Sequence, residues 1–282
     1  MFDNFIKGWK LGGAVRKLVM KDKSLSLFPI LSAIVIILES IAIFIPLILF
    51  THNETAVSLL LLIIYYIVTI FTSSYILAAM LIQFNSFLNG ERSSITTSFS
   101  KAKEFWLQLI EWSLFQTAII LVITAISQII KKDSGALIMK IFDLAASFSI
   151  SIASMFAIPI ILEEKTGPIK TLKKSVEFIL NNFGNTFGGF FYSDLYPLLF
   201  IILGLLIVIV GIFAIISLPI LIAAIIIILG LALLAYGLIL RYLLFNTFKF
   251  IIYKYKTEGY LPEGIDGDLI NNSIKVKNKV IM

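Results

Sequence analysis

Residues 195–240 read LYPLLFIILGLLIVIVGIFAIISLPILIAAIIIILGLALLAYGLIL, 46 residues without a charged side chain. As one helix they would extend about 69 Å. The hydrocarbon core of a bilayer is only ~30 Å thick, so the run must turn back on itself. Pro219, just after Ser217-Leu218, suits the first turn of a new helix, where its missing N–H costs nothing. The run therefore divides into two spans, about 190–216 and 219–245.

The same reading extends outward along the chain. Apolar runs at about 28–50, 56–84, 105–130 and 139–162 are each long enough to cross a bilayer as a helix. The expected fold is an all-α polytopic membrane bundle of six transmembrane helices, 28–249. An interfacial amphipathic segment, 1–27, precedes it. Elbows at 85–104 and 163–189 interrupt it, and a tail, 250–282, follows it. The whole chain is 59% hydrophobic and 14% charged, with a mean hydropathy of +1.01. That excludes a soluble globule, a disordered chain and a nucleic-acid-binding domain. No polar segment is long enough to fold alone. The first apolar run is too long, and lacks a small-residue cleavage site, for a secretory signal peptide, so span 1 is expected to stay in the mature protein.

The 23 Lys and Arg residues set the threading. With the N-terminus inside, twenty fall on the cytoplasmic side and three (Lys131, Lys132, Lys140) on the other. Such a bias puts both termini in the cytoplasm of a cell-membrane protein. The net charge of +6 then records topology and not nucleic-acid binding. The loop around His52 lies outside.

Three cytoplasmic pieces have an amphipathic pattern. In 168–181, Ile169, Leu172, Val176 and Ile179 form an apolar stripe, with Lys170, Lys173, Lys174 and Glu177 beside it. Such a helix can lie on the inner leaflet with its lysines against anionic lipid headgroups. Segment 94–104 repeats this weakly, through Ile95, Phe99 and Ala102, with Lys101 and Lys103. In the N-terminal segment the apolar phase breaks at Gly12-Gly13, which predicts two short helical pieces. Spans 2–3 and 4–5 also share a plan, with 95–102 set against 169–176 as a weak internal similarity.

Polar residues inside the spans mark candidate sites. Glu39 lies about 16 Å along span 1 from Phe28, where a charge costs at least ~2.5 kcal/mol. It reads as a cation- or proton-path acid, or as a protonated acid bonded to a neighbour such as Ser40. Glu111 and Asp143 are the other candidates for such a path. Glu111 also reads as a hydrated acid at the inner interface, and Asp143 as half of a local pair with Lys140. Ser147, Ser151 and Ser154 follow Asp143 along one face of span 4. Ser113, Thr117, Thr124 and Gln128 share a face of span 3. These faces suit close helix packing or the border of a hydrated cavity. Spans 5 and 6 read as uniformly aliphatic and lipid-facing. Arg241 snorkels or pairs with Asp194 or Glu164. Glu263, Asp266 and Asp268 lack the spacing of a calcium loop.

There is no cysteine and one histidine, so no thiolate or multi-histidine metal site is expected, and no cofactor. No nucleophile elbow, phosphate-binding loop or zinc motif occurs, and no catalytic residue is expected.

Three stretches carry a resemblance. They are Phe5-x-x-x-Trp9 with Lys21-Asp22-Lys23-Ser24-Leu25 and Phe28-Pro29-Ile30-Leu31-Ser32; Ile158-Pro159-Ile160-Ile161-Leu162-Glu163 with Gly167-Pro168-Ile169 and Lys174-Ser175; and Tyr253 to Gly259 with Leu261 to Asp266. Together they resemble an uncharacterised family of prokaryotic six-helix integral membrane proteins. The Pro…Glu…Gly-Pro…Lys-Ser elbow is more loosely similar to membrane domains that accompany glycerophosphodiesterases. The resemblance implies a multi-pass membrane protein and assigns no activity.

Two functions follow as expectations. One is a membrane-organising or partner-binding protein, acting on lipid headgroups, on a second copy of itself or on a membrane partner. The other is a small permease or channel, its cation- or proton-linked path running past Glu39. An intramembrane enzyme ranks below both.

Overall fold

The computed structural model describes residues 2–50, 55–91, 93–263 and 265. His52 with its loop, Arg92, and the tail residues Asp266 and Asp268 lie outside them. Among the described residues there is no strand. The helices are α1 (Phe2–Val19), α2 (Leu27–Phe50), α3 (Thr55–Leu88), α4 (Ile95–Ala102), α5 (Trp106–Ser134), α6 (Ala136–Ala153), α7 (Ala157–Glu164), α8 (Pro168–Ser217) and α9 (Ile220–Glu258). Among the described residues six segments are long and apolar enough to cross a membrane: Lys23–Pro46, Ala56–Leu88, Ile95–Lys131, Ala136–Glu164, Gly188–Ser217 and Ile220–Glu258. Three boundaries depart from the sequence reading. Helix α1 runs unbroken through Gly12-Gly13, span 4 is split into α6 and α7, and the elbow from Pro168 continues without a break into span 5 as α8.

The chain divides into two compact units, one of Ile30–Asn181 and one of the described residues up to Pro29 with those from Asn182 on. In the second of these, α1 packs through small residues. A Cβ on Gly8 would lie 2.8 Å from the Gly189 nitrogen, and one on Gly12 would lie 2.6 Å from the Tyr192 ring. The glycines that looked like a helix break are therefore contact points. Leu11, Val15 and Val19 are buried on the same side. Trp9 meets Tyr192 edge-on at 4.8 Å, and the Arg16 guanidinium lies 4.4 Å above the Tyr196 ring.

Helices α8 and α9 meet along a glycine seam. A Cβ on Gly204 would lie 2.5 Å from the Leu234 nitrogen, and one on Gly230 2.7 Å from the Val208 nitrogen. One on Gly237 would lie 2.7 Å from the Ile201 side chain, and one on Gly211 2.6 Å from that of Ile227. In a bilayer, helix pairing relies on such backbone approach, because lipid is as apolar as leucine. Spans 5 and 6 thus carry one packing face each beside their exposed aliphatic faces. Arg241 donates to Asp194 at 2.8 Å.

Two of the resembling motifs cap helices, one at a start and one at an end. The Asp22 carboxylate accepts from the Ser24 amide at 2.9 Å and its hydroxyl at 2.6 Å, which caps the turn that buries Leu25. Gly259 ends α9 in the left-handed region at φ 69°, where glycine alone carries no Cβ penalty.

In the unit of Ile30–Asn181, α3 packs against α4, α5 and α7, and α5 against α6. The break at Ser154–Phe156 follows from Pro159, which has no N–H and whose ring would clash with the Met155 carbonyl in a continuous helix. The freed Phe156 amide donates to the Ser175 hydroxyl oxygen at 3.2 Å. Ser175 belongs to the resembling Lys-Ser motif, so that motif holds the two sides of the elbow together.

The two elbows share a hydrogen-bond device. Ser93 and Ser98 pair through their hydroxyls at 3.1 Å, and Thr166 and Thr171 at 2.8 Å. Both Ser98 and Thr171 are fully buried. The offset between the pairs is one residue shorter than the sequence alignment of 95–102 with 169–176 requires.

The side of 168–181 that is buried in the protein is partly polar. Thr171, Ser175 and Ile179 are inside, while Ile169 is 74% exposed. Their hydroxyls have local partners, so they bury as readily as leucine would. In α4 the apolar face of Ile95, Phe99 and Ala102 is half or fully buried. The Tyr75 hydroxyl donates to the Phe99 carbonyl at 2.8 Å, and Ser98 to Gln83 at 2.5 Å. That face is thus turned to α3.

Candidate functional site: a polar cavity between α3, α5 and α6

The polar faces expected on spans 3 and 4 meet. Helix α5 contributes Thr124, Ser127 and Gln128, and α6 contributes Asp143, Ser147 and Ser151, to the wall of a cavity of about 490 Å³. Tyr66 of α3 closes one side, and Ile120, Ile123, Met139 and Ile150 supply the apolar remainder. These residues come from the last half of α5 and the first sixteen residues of α6. The cavity therefore runs along most of α6 and the half of α5 nearest the Gly135 hairpin.

Among the described residues Asp143 is the single acid in this wall, and no base lines it. The Ser127 hydroxyl, itself buried, donates to Asp143 Oδ1. Among the described residues no ion pair joins Asp143 to Lys140, so the local pair expected from sequence is replaced by this bond. The Ser127 proton is committed to Oδ1, and Oδ2 remains available to a guest. The volume is that of a small-molecule site, a concavity of apolar walls with a few convergent polar groups.

The other candidate acids lie elsewhere. Glu39 and Glu111 do not line the cavity, so the structure does not bring the three acids together. Glu39 Oε2 is sealed from solvent without a hydrogen-bond partner. Ser40 is not its partner, since its hydroxyl donates to the Ile36 carbonyl at 2.7 Å and so accepts from the Tyr65 hydroxyl at 3.0 Å. Glu111 is half-buried, and its Oε2 would lie 3.8 Å from a Cβ on Gly167. Ser113 is spent on the Ile110 carbonyl, and Thr117 is buried in helix packing.

Of the lysines expected to meet lipid, Lys101, Lys103, Lys170 and Lys173 are exposed. Lys174 is paired with Glu164 instead. Among the described residues no group of three or more His, Asp or Glu side chains could hold a metal ion.

Sequence reasoning missed Ser127 and Tyr66. Ser127 lies three residues after Thr124 and was legible as part of the same face. Tyr66 shares a face of α3 with Thr69 and Ser73, three and seven residues on, and that spacing could have marked it.

Six apolar helices, a broken fourth span and an acid-bearing polar cavity define a multi-pass helical membrane protein. The chain belongs to the family of unknown function DUF6159, whose model matches residues 52–262. That match carries no link to the domains that accompany glycerophosphodiesterases. No curated protein and no solved structure matches the chain.

Proposed function

We propose that this protein is a small permease or channel whose solute site is the α3–α5–α6 cavity, with Asp143, and not Glu39 or Glu111, as the acid of its path. The observation that carries the reading is the convergence of two polar helix faces on one open volume holding an acid. Intramembrane acids are costly and mark solute or proton pathways by default. A discontinuous helix beside the site, here α6–α7, is a recurring feature of transporter sites. The basic-residue bias supports cytoplasmic termini in the cell membrane, which turns the Gly135 hairpin and the cavity outward.

The chain's lack of cysteine makes the test clean. In intact cells, Ser147→Cys reacts with a membrane-impermeant thiol reagent, while Leu144→Cys, 75% exposed on a lipid-type face, does not. Equal silence at both positions would contradict the reading, and reaction at Ser147→Cys only after the cells are opened would reverse the orientation.

A lipid-contact role rests on a separate surface. Ile169 and Leu180 are 74% and 79% exposed on the elbow part of α8. Lys170 and Lys173 stand beside them. Apolar side chains flanked by bases suit the inner interface, which supports the membrane-organising reading as an accompanying role.

A further inference from the structure

We infer that the guest of the α3–α5–α6 cavity is a monovalent organic cation, an ammonium compound with a short apolar body. This rests on the reading of the cavity as a solute site and adds the charge and shape of the solute.

Charge comes first. Among the described residues the wall contains one carboxylate and no base. In a low-dielectric surround an uncompensated acid favours a cationic guest, and neutral or anionic solutes leave it unpaired. The Ser127 hydroxyl donates to Oδ1, which holds the carboxylate as an acceptor and leaves Oδ2 for an N–H donor. An ammonium brings its own donors, and such charge-assisted bonds are the strong ones.

Shape comes next. A bare inorganic ion occupies a small part of about 490 Å³. A calcium ion takes 6–8 oxygen ligands, and a single carboxylate among hydroxyls is a poor cage for one. Ile120, Ile123, Met139 and Ile150 form apolar wall next to Asp143, which suits an alkyl body. Tyr66 adds an aromatic ring to the same wall, and the faces of such rings attract ammonium groups. Gln128, Ser147 and Ser151 are left to hydrogen-bond a polar substituent or water, and Thr124, whose hydroxyl donates to the Ile120 carbonyl at 2.8 Å, can accept.

The experiment compares guests that share an alkyl body. Butylammonium and butanol are titrated against the full chain in lipid nanodiscs, with potassium and magnesium alongside, and binding is followed by ligand-observed NMR. Butylammonium binds at least tenfold more tightly than butanol and outcompetes either metal ion. Asp143→Asn keeps an oxygen for Ser127, so it folds, and it brings butylammonium down to the level of butanol. Thr124→Asp adds a second carboxylate to the wall and tightens butylammonium, a gain that misfolding cannot imitate. Equal binding of the two guests, or an Asp143→Asn protein with unchanged butylammonium affinity, overturns the cation inference and leaves the solute site standing. Binding of neither guest overturns both.

Discussion

Gly204→Leu is expected to force α8 and α9 apart and to cost about 3 kcal/mol or more, the upper end of overpacking losses. The reason is that the atoms in the way belong to backbone. The nearest neighbours of a Cβ at Gly204 are the Leu234 nitrogen at 2.5 Å and the Gly230 carbonyl at 2.8 Å. A side chain that meets another side chain can turn aside; here the two helix axes must separate. Separation would also open the contacts at Gly211, Gly230 and Gly237, since all four glycines lie on one seam. Thermal unfolding in a mild detergent measures the loss. Leu206→Ala, on an exposed part of the same helix, serves as the control and should shift the midpoint little. A Gly204→Leu protein that unfolds with the control would show that the seam does not form.

The second large effect is at Gly189, where a Cβ would overlap the Phe248 ring. Phe248 is fully buried and packs edge-on against Phe190 at 5.0 Å. Gly189→Val should therefore destabilise the unit of α1, α8 and α9 by roughly 3 kcal/mol. Here the obstacle is a side chain, so it can be removed. Phe248→Ala alone should cost ~3–5 kcal/mol through the cavity it leaves. The double variant should be more stable than the two losses summed, with a coupling of order 0.5–3 kcal/mol. Additive losses would mean that the two residues do not touch.

The spans were legible because bilayer thickness imposes a length, and charge-free runs such as 195–240 exceed or match it. The cavity was half legible. Asp143, Ser147, Ser151, Thr124 and Gln128 announced two polar faces through their helical spacing. Spacing cannot say that the faces meet across open space and not in close contact. Ser127 completes the site by donating to Asp143, yet by type it is another small residue in an apolar run.

The glycines were the hardest to read. Gly204 and Gly211, and Gly230 and Gly237, recur at intervals of seven, which is a packing signal in a bilayer helix. Inside aliphatic spans they added nothing to the contrast between polar and apolar faces. Gly12-Gly13 had the reverse fate, since the change of apolar phase there suggested a break where the structure uses Gly12 to admit the Tyr192 ring. On the elbow, hydrophobicity alone could not show that Thr171 is buried, since it is polar; its bonds to Thr166 satisfy the hydroxyl and let it stay inside. The break in span 4 had a visible cause in Pro159, but its position depends on Ser175, nineteen residues on, receiving the freed Phe156 amide.

The central claim is that the α3–α5–α6 cavity is a solute path, and flux tests it most directly. The protein is reconstituted in liposomes, and entry of small ammonium and neutral polar solutes is followed beside protein-free liposomes. Ser147→Trp, which fills the cavity from its exposed rim, is measured in parallel after its folding is checked by circular dichroism and thermal unfolding. The account predicts that the native chain raises solute entry above that of empty liposomes and that folded Ser147→Trp returns it to their level. Native-chain liposomes no more permeable than empty ones, or a plugged variant that conducts as well as the native chain, would contradict it.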